Sequence, residues 1–424
     1  MESATGKRNG MTRPPHVVVI GAGIVGVSTA IWLRRFGAEV TLVDRGAPGQ
    51  GTSFGNGGVL AACAVLPVTG PGLLRQAPRM LLDPGKPLFL RWSYLPKLLP
   101  WLLKYLSHAN DKDTRRLTAA LGPIVADSVD QHMALTEGLG ARRYVTPSDY
   151  VYAFRDRRIF EADAYGWALR REAGFEPQLL EGAAVQEYEP ALGPDIRCLA
   201  VLKDHGHVRD PGGYVTALAE DFTAMGGQIR RAEVRDVALE DGRITSVLTS
   251  DGPLACDRAV ITAGAWSGPL LKKLGLKVPL ESERGYHILY ENATGGPRVP
   301  VMIDAGKFVA TPMDAGLRCA GILEFGGLEA GPTRAPLRML RAKVRAALPG
   351  LQATREVEWM GHRPATSDSL PLIGEIGRTG VFAGLGHHHI GLTAGPKTGR
   401  LLAGLITQRP SNTDLTPYQP GRFS

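Results

Sequence analysis

The sequence predicts an α/β fold: a domain on a parallel sheet, interrupted by insertions that form a second, α+β domain on an antiparallel sheet. Three observations predict it. Val17-Val18-Val19-Ile20 is a continuous, mostly β-branched run, as in strands buried on both faces. A glycine-rich turn, a helical segment and a second such strand follow at once. Further along, Tyr286–Tyr290, Val301–Ile303, Phe308–Pro312 and Leu317–Leu323 read as short strands separated by turns.

Taken in order, Ile24–Phe36 carries apolar residues at helical spacing, and Gly37 ends that helix. Val40-Thr41-Leu42-Val43 is the second strand and closes on Asp44, which completes a βαβ unit. Residues 46–58 are dense in Gly, Ser, Thr and Asn and form a loop. Leu73–Leu106 reads as short helices, Thr114–Leu139 as a long helical stretch and Tyr144–Phe154 as a strand. A helix is expected at Pro211–Met225, a short strand at Gln228–Arg231 and a hairpin over Val234–Asp251. Arg258–Thr262 is another buried strand, and Arg334–Ala347 an amphipathic helix. Trp359–Thr407 reads as glycine-rich loops, one strand at Val381–Ala383 and a closing helix from Thr393.

A chain of 424 residues exceeds what one core holds. The expected division gives 11–84, 200–275 and 356–418 to the parallel-sheet domain, and 85–199 and 276–355 to the substrate domain. Residues 1–10 read as a disordered leader.

Net charge is +8, but no run of five basic residues builds an electrostatic footprint, which argues against nucleic acid. Cys63, Cys198, Cys256 and Cys319 are far apart, with no CxxC pair. That excludes a zinc or disulfide framework and fits a reducing compartment. No secretory signal is visible, and Val17–Gly23 is too short to span a bilayer. The expectation is a cytoplasmic protein. Leu88–Leu106 is strongly apolar but holds two prolines, Arg91, Lys97 and Lys104, which exclude a normal spanning helix. Two readings stay open for it: helices packed over the substrate domain, or an interfacial helix in peripheral contact with the inner face of the membrane.

Gly21-Ala22-Gly23-Ile24-Val25-Gly26 matches GxGxxG between a strand and a helix. Gly21 allows the tight turn, Gly23 lets backbone approach a pyrophosphate and Gly26 lets helix pack on strand. The helix start offers N–H groups and partial positive charge to phosphates. Asp44 lies 23 residues after Gly21, where a carboxylate accepts hydrogen bonds from a ribose diol and repels a 2′-phosphate. This fingerprint alone does not separate FAD from NAD.

Further segments do: GTSFGNGG at 51–58, ITAGAWS at 261–267, GHRPATSDSLPLIGE at 361–375 and GLGHHHIGLTAGPKTGRLLAGLI at 384–406. Together with VVVIGAGIVGVSTAIWLRRFGAEVTLVD at 17–44, the chain resembles the FAD-dependent superfamily of D-amino acid oxidase, glycine and sarcosine oxidase and the bacterial D-amino acid dehydrogenases, the last group above all. The resemblance implies a Rossmann-like FAD-binding domain. It implies Asp44, with its neighbour Arg45, at the adenosine ribose, and Thr52, Ser53, Gly57, Gly58 and Val59 on the flavin side. Val234 would meet the adenine through its backbone, and Ala263, Gly264 and Trp266 would border the ADP half. Gly361, Arg363 and the backbone of Ile390, Gly391, Leu392 and Thr393 would surround the isoalloxazine ring. The helix start after Gly391 suits the negative charge of reduced flavin near N1 and O2. The last cysteine, Cys319, lies well before the flavin-side loop, so FAD is expected to be non-covalent.

The activity implied is oxidation of the CH–NH bond of a small D-amino acid or a cyclic imino acid of the D-proline or hydroxyproline type. Hydride leaves Cα for flavin N5, and the imine hydrolyses to a 2-oxo acid and ammonia, or stays as a cyclic imine. Positioning carries much of this reaction. Arg363, Arg284 and Arg209 are candidate anchors for the substrate carboxylate, since arginine binds it bidentately. Tyr286 and His287 alternate on one strand, so one of them faces the site; the aromatic on this strand in relatives favours Tyr286. His387, His388 and His389 have no accompanying acid or cysteine pattern, so no metal is expected. A polar role near the flavin or the amine is assigned to His387 and His388, beside plain loop packing. The partners expected are a small amino acid and a quinone- or dye-like electron acceptor. Two alternatives remain: an oxygen-using glycine- or sarcosine-type oxidase, and an FAD-bearing subunit of a hetero-oligomeric dehydrogenase.

Overall fold

His16–Ile20 sits inside a six-stranded sheet ordered Leu372–Glu375, Val381–Leu385, Arg258–Ile261, His16–Ile20, Glu39–Asp44 and Gln228–Arg231. All its pairings are parallel except the first, an antiparallel hairpin. The computed structural model describes residues 13–73 and 88–423. The expected leader at 1–10, and residues 74–87 of the Leu73–Leu106 segment, lie outside the described residues.

The apolar run of the first strand is explained by cover on both faces. Helix Ile24–Arg35, buried from Ile24 to Leu33, packs on one side against helix Gly391–Ile406. The approach is close: a Cβ on Gly399 would lie 2.6 Å from Thr29 N. Ile20 and Ile261 end adjacent parallel strands, and glycine turns follow both. The chain reverses its strand order there, which opens a crevice at the carboxyl edge of the sheet.

The second sheet has ten strands. Its central path runs Arg355–Thr366, Leu280–Glu291, Gly316–Phe325, Phe308–Met313, Val301–Ile303, Val145–Phe154, Cys198–Val208 and Val59–Leu60. It is antiparallel apart from two parallel joins, Val301–Ile303 on Val145–Phe154 and Leu88–Leu90 on Gly316–Phe325. One face carries Tyr286, Ile288, Phe308 and Ile322 against Leu337, Leu340 and Val344 of helix Arg334–Ala347. The opposite face turns toward the six-stranded sheet.

Several segments depart from the expectations. Arg355–Thr366 is a twelve-residue strand, not loops. It is an end strand with Leu280–Glu291 as its neighbour, which is why Pro364 is tolerated. Cys198–Val208 is a strand of eleven residues that the sequence reading passed over. The segments 200–275 and 356–418 thus each open on a strand of the ten-stranded sheet. Val234–Asp251 forms two strands of a three-stranded sheet completed by Gly252–Ala255. The long stretch Thr114–Leu139 is two helices, Asp111–Val125 and Ser128–Leu135.

Candidate active site

A cavity of about 930 Å³ is lined by residues of both large sheets. At one end stand Gly21, Gly23, Ile24 and Val25. Gly26 is behind this wall rather than on it: a Cβ there would lie 1.8 Å from Gly21 O, so it serves the close packing of helix on turn. Ser53 Oγ accepts from the Ile24 N–H at 3.0 Å. Asp44 lines the cavity and accepts from Ala22 N–H at 2.7 Å and Gly46 N–H at 2.8 Å, which fixes its carboxylate while leaving lone pairs for a ligand. The Arg45 guanidinium lies 4.7 Å from the centre of the Trp266 ring. Val234, Ala263, Gly264 and Trp266 complete this end.

Toward the other end the wall is made by Thr52, Gly57, Val59, Gly361 and the segment Ile390–Thr393. Thr52 donates its hydroxyl to His362 O at 2.7 Å, tying the glycine-rich loop to the strand Arg355–Thr366. Gly58 is not on the wall; its φ of +79° and a Cβ position 2.8 Å from Val208 O make it a turn glycine behind it. Neither helix Ile24–Arg35 nor helix Gly391–Ile406 has an acidic residue in its first turn or a side-chain cap on its N-cap residue. Two positive helix starts therefore border one elongated cavity, one suited to a pyrophosphate and one to an anionic ring. That arrangement fits FAD.

Arg363 projects into the cavity over Gly285, where a Cβ would come within 2.7 Å of its Cζ. It makes no hydrogen bond or ion pair with any described residue. Burial pushes its pKa down, opposed by the carboxylate of Glu283, its register partner on the neighbouring strand. Arg284 goes elsewhere. One residue away on a strand, it faces the opposite side, fully buried with Nη1 3.2 Å from Glu324. Tyr286 borders the cavity, yet its hydroxyl donates to Glu324 Oε2 at 2.6 Å and its ring packs under helix Arg334–Ala347. His287 points the other way: Nδ1 reaches Gly55 O at 3.0 Å, and its ring stacks on Trp359 at 5.1 Å. Arg209 is at the surface, paired with Asp314 at 2.6 Å.

The three adjacent histidines diverge. His387 Nε2 meets Thr398 Oγ1 at 2.9 Å, and burial, with His388 beside it, pushes its pKa down to about 3. His388 turns to Thr366 and Glu283. All three line the cavity, and His389 is the one exposed to that space; desolvation by the surrounding walls and the positive Arg363 push its pKa down to about 4. Among the described residues no group of three His, Cys, Asp or Glu is placed to hold a metal ion.

Sequence reasoning missed Glu283, Gly285, Tyr150, Met302, Val309 and Trp359. Of these, Tyr150, Gly285, Met302, Val309 and Trp359 line the cavity. Strand periodicity from Arg363 back through Gly361 points to Trp359; the others need the sheet register.

The family described as "FAD dependent oxidoreductase" matches residues 16–405. The chain is 40% identical over 417 residues to a D-amino-acid oxidase of Bradyrhizobium diazoefficiens, covering 96% of this chain and 99% of the relative. It is 29% identical to a D-amino acid dehydrogenase of Paramagnetospirillum magneticum, with the same coverage of 96% and 99%. An L-proline dehydrogenase structure from P. horikoshii superposes with a TM-score of 0.74 at 20% identity, covering 97% of this chain and 98% of that one. With a Rossmann-like FAD site, an inserted α+β domain and a family match over nearly its whole length, the chain belongs to the DAO family of FAD-dependent oxidoreductases.

Proposed function

We propose that this protein oxidises the CH–NH bond of a small D-amino acid or cyclic imino acid. The observation that carries this is Arg363: a guanidinium in the cavity wall, without a hydrogen-bonding partner among the described residues, lying flat over Gly285. A planar donor fork in a secluded cavity suits a carboxylate bound bidentately. FAD, when bound, supplies a two-electron acceptor for the hydride leaving Cα. Arg363 fixes the carboxylate and thereby the direction of the Cα–H bond. Hydride loss needs the neutral amine, whose lone pair drives it, and His389 on the cavity wall adds no positive charge to oppose it. Tyr150, Met302 and Val309 offer aromatic and apolar surface to a small neutral side chain. The relatives named D-amino-acid oxidase and D-amino acid dehydrogenase support the D-configuration. Anaerobic bleaching of the bound flavin across a panel of D- and L-amino acids tests the reading. Bleaching by L-isomers alone would overturn it.

The acceptor proposed is quinone- or dye-like, and dye reduction far exceeding hydrogen peroxide yield is the expected result. The outer side of helix Leu95–Ser107 favours a membrane-borne acceptor. Trp92, just before the helix, and Leu99 and Leu103 on it are 59%, 45% and 61% exposed, and Leu88–Asn110 holds Arg91, Lys97 and Lys104 with no carboxylate. No helix among the described residues is long and apolar enough to cross a membrane, so the contact is interfacial. Co-sedimentation with anionic but not neutral lipid vesicles is expected; none with either would remove this part of the proposal.

A further inference from the structure

His388, on the cavity wall, is 4% exposed, and Glu283 beside it is 2% exposed. His388 Nε2 lies 3.0 Å from Thr366 O and 3.2 Å from Thr366 Oγ1. Thr366 donates its own hydroxyl to Leu370 O at 2.8 Å, so toward His388 both of its oxygens accept. Nε2 therefore carries a hydrogen. Nδ1 is buried without a hydrogen-bond partner and faces Glu283 Oε1 at 3.7 Å. With Nε2 protonated, a neutral ring would turn a lone pair at a carboxylate. A proton on Nδ1 turns that repulsion into an attraction between the ring and Glu283.

The charge balance around Arg363 follows. Glu283 is the carboxylate that acts on Arg363, and His387 and His389 are neutral near pH 7. Tyr105, from helix Leu95–Ser107, faces Glu283 with a phenol whose pKa burial raises. If Glu283 kept an uncovered charge, it would hold Arg363 and compete with any incoming carboxylate. We infer that His388 is a positioning residue that neutralises Glu283 and so leaves the Arg363 charge free for the substrate carboxylate. The inference rests on the reading of Arg363 as carboxylate anchor.

The test uses FAD-loaded protein and acetate as the probe, with affinity read by calorimetry, so it does not depend on which amino acid is oxidised. His388→Asn removes the ring charge and tolerates the φ of +49° at this position. It should weaken acetate about tenfold, and raise KM more than it lowers kcat. Adding Glu283→Gln should restore acetate affinity to near the starting value. A purely structural role predicts the opposite, a double variant worse than either single one, and that result overturns the inference. If His388→Asn fails to hold FAD, Glu283→Gln alone decides: affinity equal to or tighter than wild type upholds the inference, weaker affinity refutes it. Acetate binding that ignores Arg363→Lys would instead sink the anchor reading itself.

Discussion

Arg363 and Gly285 form one unit: the guanidinium occupies the space a side chain at Gly285 would fill, with Cζ 2.7 Å from where its Cβ would be. Gly285→Ala should therefore push Arg363 out of line while leaving FAD in place. KM for the amino acid should rise, with the flavin spectrum unchanged. Arg363→Lys removes the bidentate fork, and a lost charge-assisted hydrogen bond of about 1.5–3 kcal/mol corresponds to a KM increase of roughly 10- to 150-fold. Steady-state kinetics on both variants check this; an unchanged KM in either would separate the residue from substrate binding.

Asp44 joins the glycine turn to the nucleotide. It holds Ala22 N–H and Gly46 N–H and still presents oxygen to the cavity. Asp44→Ala leaves both N–H groups without this acceptor and deletes the partner for a ribose hydroxyl. FAD affinity should fall by roughly 10- to 100-fold. Fluorescence titration of apoprotein with FAD measures it.

How much of this was legible depended on how local each feature is. Gly21, Gly23, Asp44 and Thr52 could be found because turn, helix start and acid follow one another along the chain. Arg284 could not be sorted from Arg363 by residue type. Only register shows that Glu283 and Gly285 share the face of Arg363 while Arg284 and Tyr286 share the other. The strand Cys198–Val208 escaped because its buried run is interrupted at Lys203 and Asp204, both exposed, where Asp204 takes φ +59° beside a register shift in the pairing with Val145–Phe154. Gly26 and Gly58 carried glycine's signature for packing reasons, which a sequence cannot distinguish from ligand contact.

FAD should be released by acid. Cys319 is on the face of its strand that packs with Ile288 and Val301, whereas its neighbour Ala320 lines the cavity. Cys63 is fully buried, its thiol pushed up to about 11 by burial and set 3.8 Å from Tyr152 OH. Neither sulfur is offered to the ring. Acid precipitation should leave a colourless pellet and a yellow supernatant; colour retained in the pellet would mean a covalent link.

Acid should destabilise the fold through its buried histidines. His132 is fully buried, between Tyr214 OH and Leu392 O, each at 2.9 Å, and burial pushes its pKa from 6.5 down to about 4. His287 and His387, each 2% exposed, are pushed to about 3 by burial, with Arg318 and His388 respectively adding to the effect. Each stays neutral in the folded chain and takes a proton once unfolded. The unfolded state therefore binds more protons below pH 6.5, and stability falls as pH drops from there toward 4. At about one pH unit below the unfolded value, each such histidine costs about 1.4 kcal/mol. Tm measured across this range should fall steeply. His132→Gln, which cannot titrate, should lower Tm at neutral pH yet flatten the decline. A parallel decline in the variant would show that His132 has no part in it.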